Sequence, residues 1–185
     1  MMLRQRLTVV AAAATLAAAG LATGTAQAAA TATHKPVKPG TLATSCSRAH
    51  LPLPDPSCTP GAYNPAVTQA TIGSTICVSG WTATVRPPAS YTNALKTQQI
   101  AQYGYADTNP ADYEEDHFVP LELGGAPRDP HNLWPEPRYG SQPAQSKDSV
   151  ENKLKTAVCG HRVTLAAARS AIASDWTTAL SRLGL

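Results

Sequence analysis

Apolar positions recur with helical period most clearly near the C-terminus of this chain. In SKDSVENKLKTAVC, Val150, Leu154, Ala157 and Val158 fall at i, i+4, i+7 and i+8, a single stripe with charge elsewhere, which predicts an amphipathic helix. In TLAAARSAIASDWTTALSRL, Leu165, Ala168, Ile172, Trp176, Ala179 and Leu183 form a second stripe with Thr164 as its N-cap. Trp176 lies on that stripe, so its expected role is to anchor the core. Upstream the pattern changes. Ser74 to Pro88, STICVSGWTATVRPP, is dense in β-branched residues, is broken by Ser79-Gly80 and ends on a proline pair, which predicts a β-hairpin. Ser90 or Thr92 then caps a helix through Tyr103, stopped by Gly104. Tyr113 to Val119 reads as a strand, Pro120 to Pro130 as turns around Gly124-Gly125, and His131 to Trp134 as a short return strand closed by Pro135. The order strand, loop, strand, helix places the chain in the α+β class.

The N-terminus has a different pattern. Arg4 and Arg6 precede an apolar stretch from Leu7 to about Ala22, and Ala26-Gln27-Ala28 presents small residues where a signal peptidase cuts, so residues 1–28 read as a secretory signal peptide. No second apolar segment of roughly 20 residues follows to span a membrane. Residues 29–59 are rich in Ala, Thr, Pro and Ser without period and read as a tether with a Cys-pinned end; His34 and His50 there are expected to be solvated. Residues 60–185 are left as one small domain. Without Arg4 and Arg6, 13 of the 15 basic residues remain against 12 acidic ones, a near balance that argues against binding driven mainly by nonspecific charge.

The cysteines fit export. Cys46, Cys58, Cys77 and Cys159 include no C-x-x-C pair, so two disulfides are expected in place of a zinc knuckle. Three pairings are possible. Cys46 with Cys58 closes a small loop in the Pro-rich arm, and Cys77 with Cys159 ties an early strand to a late helix; these are the favoured pairs. The longer loop restricts the unfolded chain by ~4 kcal/mol.

Candidate chemistry concentrates in YEEDHFVPLELGGAPRDPHNLWPEP, Tyr113 to Pro137. Asp116 and His117 are adjacent at a strand end, Asn132 lies on the return strand, and a helix follows. Metal-dependent phosphodiester hydrolysis needs these groups: a hard carboxylate for a divalent cation, a neutral imidazole to take a proton from water, and an amide to orient the imidazole.

At these residues the sequence resembles the HNH family of ββα-metal nucleases, through Asp116-His117, Pro120, Gly124-Gly125 and Asn132-Leu133. More narrowly, about Cys77 to Trp176 resembles a group of secreted bacterial HNH-like proteins, through EDHxxPLELGG, NLWPEP, a KD-x-x-E helix and a closing Asp-Trp element within Ala171 to Trp176. The resemblance implies a ββα core over about residues 113–158, Asp116 as a metal ligand, His117 as the general base and Asn132 as the residue that holds the imidazole. One position departs. The family's second protein ligand falls three residues before a Lys, and here that residue is Ala144, counted back from Lys147. Asp148 and Glu151, four and seven residues on, share its face and are the replacement ligands expected from helical geometry. Asn152 sits on a different face. Oxygen ligands favour Mg2+, with Mn2+ or Ca2+ as alternatives, over zinc.

Arg138 and Lys147 are the candidate phosphate contacts, with Arg128, Lys153 and Lys155 nearby. Glu114, Glu115, Glu122, Glu136, His131 and His161 are assigned no chemistry, and Tyr103, Tyr105 and Trp134 are expected to pack in preference to stacking on bases. The expected function is that of a secreted, monomeric, divalent-metal-dependent endonuclease acting on DNA or RNA with low sequence specificity. The alternative is an exported HNH-like module at the cell envelope that binds without catalysis. The sequence says nothing of an immunity partner.

Overall fold

The computed structural model describes residues 45–185. The signal peptide and tether residues 29–44 lie outside them. The order is α1 (Trp81–Val85), α2 (Ala89–Gln102), β1 (Tyr113–His117), β2 (Leu133–Pro137), α3 (Ala144–Cys159), α4 (Leu165–Asp175) and α5 (Ala179–Arg182), with short 3-10 turns between them. Helices thus surround one small sheet, as the α+β reading expects. No helix among the described residues is long and apolar enough to cross a membrane.

β1 and β2 pair antiparallel, with Glu114 opposite Glu136, Asp116 opposite Trp134 and His117 opposite Leu133. The return strand begins two residues later than expected and runs through Pro135 to Pro137. Proline is tolerated because, among the described residues, the sheet has only these two strands, so each has a free edge.

The expected N-terminal hairpin is absent. Ser74 to Pro88 forms the end of a 3-10 turn at Ile72–Ser74, further turns, and the short helix α1. Gly80, at φ 77, sits immediately before the first helical residue, Trp81, instead of reversing a strand. Ile76 is fully buried beside Leu123, Leu154 and Ile172, and Cys77 is bonded to Cys159 at the end of α3. Tertiary packing outweighs the β preference of the β-branched residues.

The other disulfide joins Cys46 to Cys58, so both favoured pairings are present. Their setting differs from expectation. Cys77 lies in a turn, not a strand, and residues 45–59, read as the end of a tether, are folded onto the domain. The Cys46 amide donates to the Gln102 carbonyl at 2.7 Å, and the Thr59 hydroxyl meets the Tyr103 hydroxyl at 2.8 Å in the interior. The Asp55 carboxylate gathers the Ser47 and Ser57 amides.

α2 starts directly after extended Pro88, without the Ser90 or Thr92 cap, and ends where Gly104 takes φ 61. Thr164 caps α4 as expected, its hydroxyl accepting from the Ala167 amide. The single C-terminal helix is instead two. Asp175 turns its carboxylate onto the Thr177 amide and hydroxyl, an alternative to helical bonding that ends α4. Two apolar clusters result. α3, α4 and α5 close around Ile76, Leu123, Leu154, Ile172 and Trp176, while Tyr103, Tyr105, Tyr113, Phe118 and Trp134 pack between α2 and the sheet.

Candidate functional site

β1 ends on His117, which is 4% exposed and lines a cleft of about 180 Å3. Its Nε2 lies 3.1 Å from the Pro127 carbonyl oxygen. A carbonyl only accepts, so Nε2 carries the ring hydrogen and Nδ1 presents its lone pair. Burial, only partly offset by the neighbouring Asp116 charge, lowers the pKa of this imidazole from its ordinary value. It is therefore neutral at pH 7, the state a general base requires.

The Pro127 carbonyl belongs to the loop between the strands, and Asn132 holds that loop. Asn132 is fully buried. Its Oδ1 accepts from the Val119 and Ala62 amides at 2.9 and 3.3 Å, and its Nδ2 donates to the Val119 and Ala126 carbonyls at 3.0 and 3.1 Å. Asn132 therefore makes no bond to the imidazole, contrary to the expected contact; its amide is fully used by backbone, and it positions His117 only by shaping the loop. Gly125 allows this, since a Cβ there would collide with the Val119 carbonyl and the Asn132 amide. The preceding Gly124, at φ 73, is held from outside by Arg169, whose guanidinium donates to the Leu123, Gly124 and Val67 carbonyls.

Asp116, on the strand beside His117, meets α3. The α3 face that approaches it carries Ala144, Lys147 and Glu151, all buried. Lys147 is 2% exposed, and its Nζ donates to Asp116 Oδ2, to Glu151 Oε1 and, at 3.0 Å, to the His117 carbonyl. An ammonium has three hydrogens, and all are used. Lys147 is thus no phosphate contact, contrary to expectation. Arg138 does not line the cleft either; it pairs with Glu114 at 3.2 Å.

Burial pulls the Lys147 pKa down, but the charges of Asp116, Glu151 and Glu136 outweigh it and hold the pKa well above the ordinary value. Burial likewise works against Asp116, yet the Lys147 ammonium bonded to it keeps its carboxyl below the usual range, so it is ionised. Glu136 was assigned no chemistry on sequence. It is 1% exposed, neither oxygen has a hydrogen-bond partner, and burial, reinforced by the Asp116 charge, raises its pKa well above normal and favours the protonated form. Glu151, through burial and then the Asp116 charge, is raised to about 8 despite its bond to Lys147. One ammonium balances one carboxylate, and the other acids hold protons more tightly.

Asp148, Asn152 and Arg86 are exposed on the cleft wall, and Glu114 and Glu122 line it half-buried. Burial and then the Asp116 charge raise the pKa values of both Asp148 and Glu114. Asp116, Asp148 and Glu151 are brought to one cleft but do not form a ready three-ligand set. Among the described residues, no group of three or more His, Cys, Asp or Glu side chains is placed to hold a metal, and Asp116 and Glu151 are both turned onto Lys147. The donors fit a smaller role: Asp116 and Asp148 carry oxygens that could ligate one cation, which would relieve their mutual repulsion, and Mg2+ is commonly held by one or two carboxylates with water completing its shell.

The remaining sequence candidates lie elsewhere. Tyr103, Tyr105 and Trp134 are buried in the core. His131 bonds Asp129 at the start of a 3-10 turn, and His161, at φ 55, is in an exposed loop. Sequence reasoning missed Arg86, which carries no motif, and the clamp role of Lys147, whose i, i+4 spacing from Glu151 was the available signal. Comparison with protein-family profiles, characterised proteins and solved structures gives no match for this chain.

Proposed function

We propose that this protein is a secreted, divalent-metal-dependent endonuclease of HNH-like ββα type that hydrolyses nucleic-acid phosphodiester bonds with low sequence preference. The observation that carries the reading is His117: a buried, neutral imidazole, fixed through Nε2 on the Pro127 carbonyl, beside an ionised Asp116 in an acidic cleft. In the proposed reaction, Nδ1 takes a proton from water as the water oxygen attacks phosphorus, the P–O bond to the leaving nucleotide breaks, and the leaving oxygen takes a proton from solvent. Asp116 and Asp148 would hold the cation, which when bound supplies charge stabilisation at the phosphate and the leaving oxygen. Arg86 is the cationic side chain on the cleft wall and would orient the phosphate. The cysteine pairing fits an exported chain.

The test is cleavage of plasmid DNA and of RNA by the purified full chain in Mg2+. The expected result is cleavage that a chelator abolishes. Unchanged cleavage under chelation removes the metal from the mechanism.

One observation favours a second reading. Lys147 stands between two of the expected ligands, and Ala144 offers none, as an exported binding module without catalysis would show. A folded chain with no divalent-cation affinity and no cleavage with any metal would select it.

A further inference from the structure

Lys147 is a costly way to fasten a helix. It brings an ammonium into the interior beside Asp116, Glu136 and Glu151, where desolvation commonly outweighs the attraction returned. A nonpolar side chain of similar length would join α3 to the sheet with less penalty. The arrangement does, however, fix two features of the cleft at once. Asp116 is held through Oδ2, leaving Oδ1 without a bond to Lys147, and the carbonyl of His117 is held by the same nitrogen at 3.0 Å. Residue 144, where the family resemblance puts a ligand, lies one helical turn before Lys147 on the same buried face.

We propose that Lys147 is the positioning residue of this site: a built-in cation that stands in for a second protein ligand, fixes the Asp116 carboxylate beside His117 and limits the cleft to one weakly held divalent cation. The kinetic half of this proposal rests on the hydrolase reading above; the metal-binding half does not. The fixed positive charge repels an incoming cation and occupies one oxygen each of Asp116 and Glu151. Removing it strengthens metal binding and at the same time lets Asp116 leave its catalytic orientation. A side chain that served only to stabilise the fold would weaken both properties together.

The experiment is Mn2+ titration of the full chain by electron paramagnetic resonance, alongside cleavage kinetics, for wild type, Lys147→Met, Lys147→Arg and the double variant Lys147→Met/Glu151→Gln. The double variant removes one buried acid and so guards against misfolding of the single one, with circular dichroism as the check. Lys147→Met, or the double variant if the single one does not fold, is expected to bind Mn2+ about tenfold more tightly or better. At saturating metal its kcat should fall about 100-fold with KM little changed. Lys147→Arg should restore wild-type Mn2+ affinity. Unchanged or weaker Mn2+ affinity in a folded Met variant overturns the proposal, as does failure of both Met variants to fold. Tighter Mn2+ binding in a chain that cleaves no nucleic acid would sustain the limit that Lys147 sets on metal binding and sink the nuclease reading, with the kinetic half of the proposal. Absence of Mn2+ binding in wild type and variants alike rejects both.

Discussion

Two buried polar clusters flank His117, and they differ in kind. Around Asn132, a neutral amide meets four backbone groups and every hydrogen-bonding site is filled. Around Lys147, one ammonium bonds two acids, Asp116 and Glu151, and a third, Glu136, is left without a partner at either oxygen. The first cluster is what a structural network looks like, since complete satisfaction is what burial demands. The second holds more acid than its cation balances, a state that costs stability and is found where a protein must handle charge. The lesson concerns which side chain does what: the residue that resembles part of a catalytic motif, Asn132, is scaffold for the loop, while the lysine expected on the substrate is internal.

The sharpest break of this contrast is at Asn132. Asn132→Ala strands two amides and two carbonyls in the interior, and we expect a loss of about 3 kcal/mol or more, read as a lowered midpoint in urea unfolding. A variant as stable as wild type would mean that the loop does not depend on this amide.

A smaller effect separates the clusters by pH. Glu115 is a half-buried acid whose oxygens have no partner, and burial, opposed in part by Lys96, pushes its pKa up to about 9 from an ordinary 4.5. Glu151 is raised to about 8. A carboxyl with a raised pKa in the folded state contributes stability that is full below pH 4.5 and is lost as pH rises through the folded value. Thermal stability should therefore fall between pH 5 and pH 9, by roughly 5 °C or more, and Glu115→Gln should flatten that slope. A melting temperature that rises across the same window contradicts the acid-rich interior.

The smallest effect is at the rim. Arg138→Ala breaks an exposed pair with Glu114 and should cost less than about 1 kcal/mol. A larger loss in urea unfolding would show that Arg138 belongs to the buried network.

Much of this was legible before the fold. The α3 stripe was readable because Leu154, Ala157 and Val158 repeat with helical period and face the core. Both disulfides matched the spacing argument. Asp116 and His117 lie at the strand end and share the cleft with Asp148 and Glu151. The hairpin was misread because β-branched composition in Ser74 to Pro88 is local, whereas the burial of Ile76 and the bond from Cys77 to α3 are not. The misassigned lysine has a similar cause. Charge on a helix usually marks the solvated face, and only the tertiary approach of Asp116 turns Lys147 inward.

The central claim is that His117 is a neutral general base over a bound phosphodiester. Its lowered pKa carries a sign: the base is competent above that value, so the rate should be level at and above pH 6.5 and fall only as acid protonates the ring. The most direct measurement is the pH–rate profile of Mg2+-dependent plasmid cleavage for wild type and His117→Ala. The account predicts a wild-type acid limb below pH 6.5 and a loss of about 100-fold or more in the variant at pH 7, with no such limb remaining. Cleavage by His117→Ala at the wild-type rate and with the wild-type profile would contradict it.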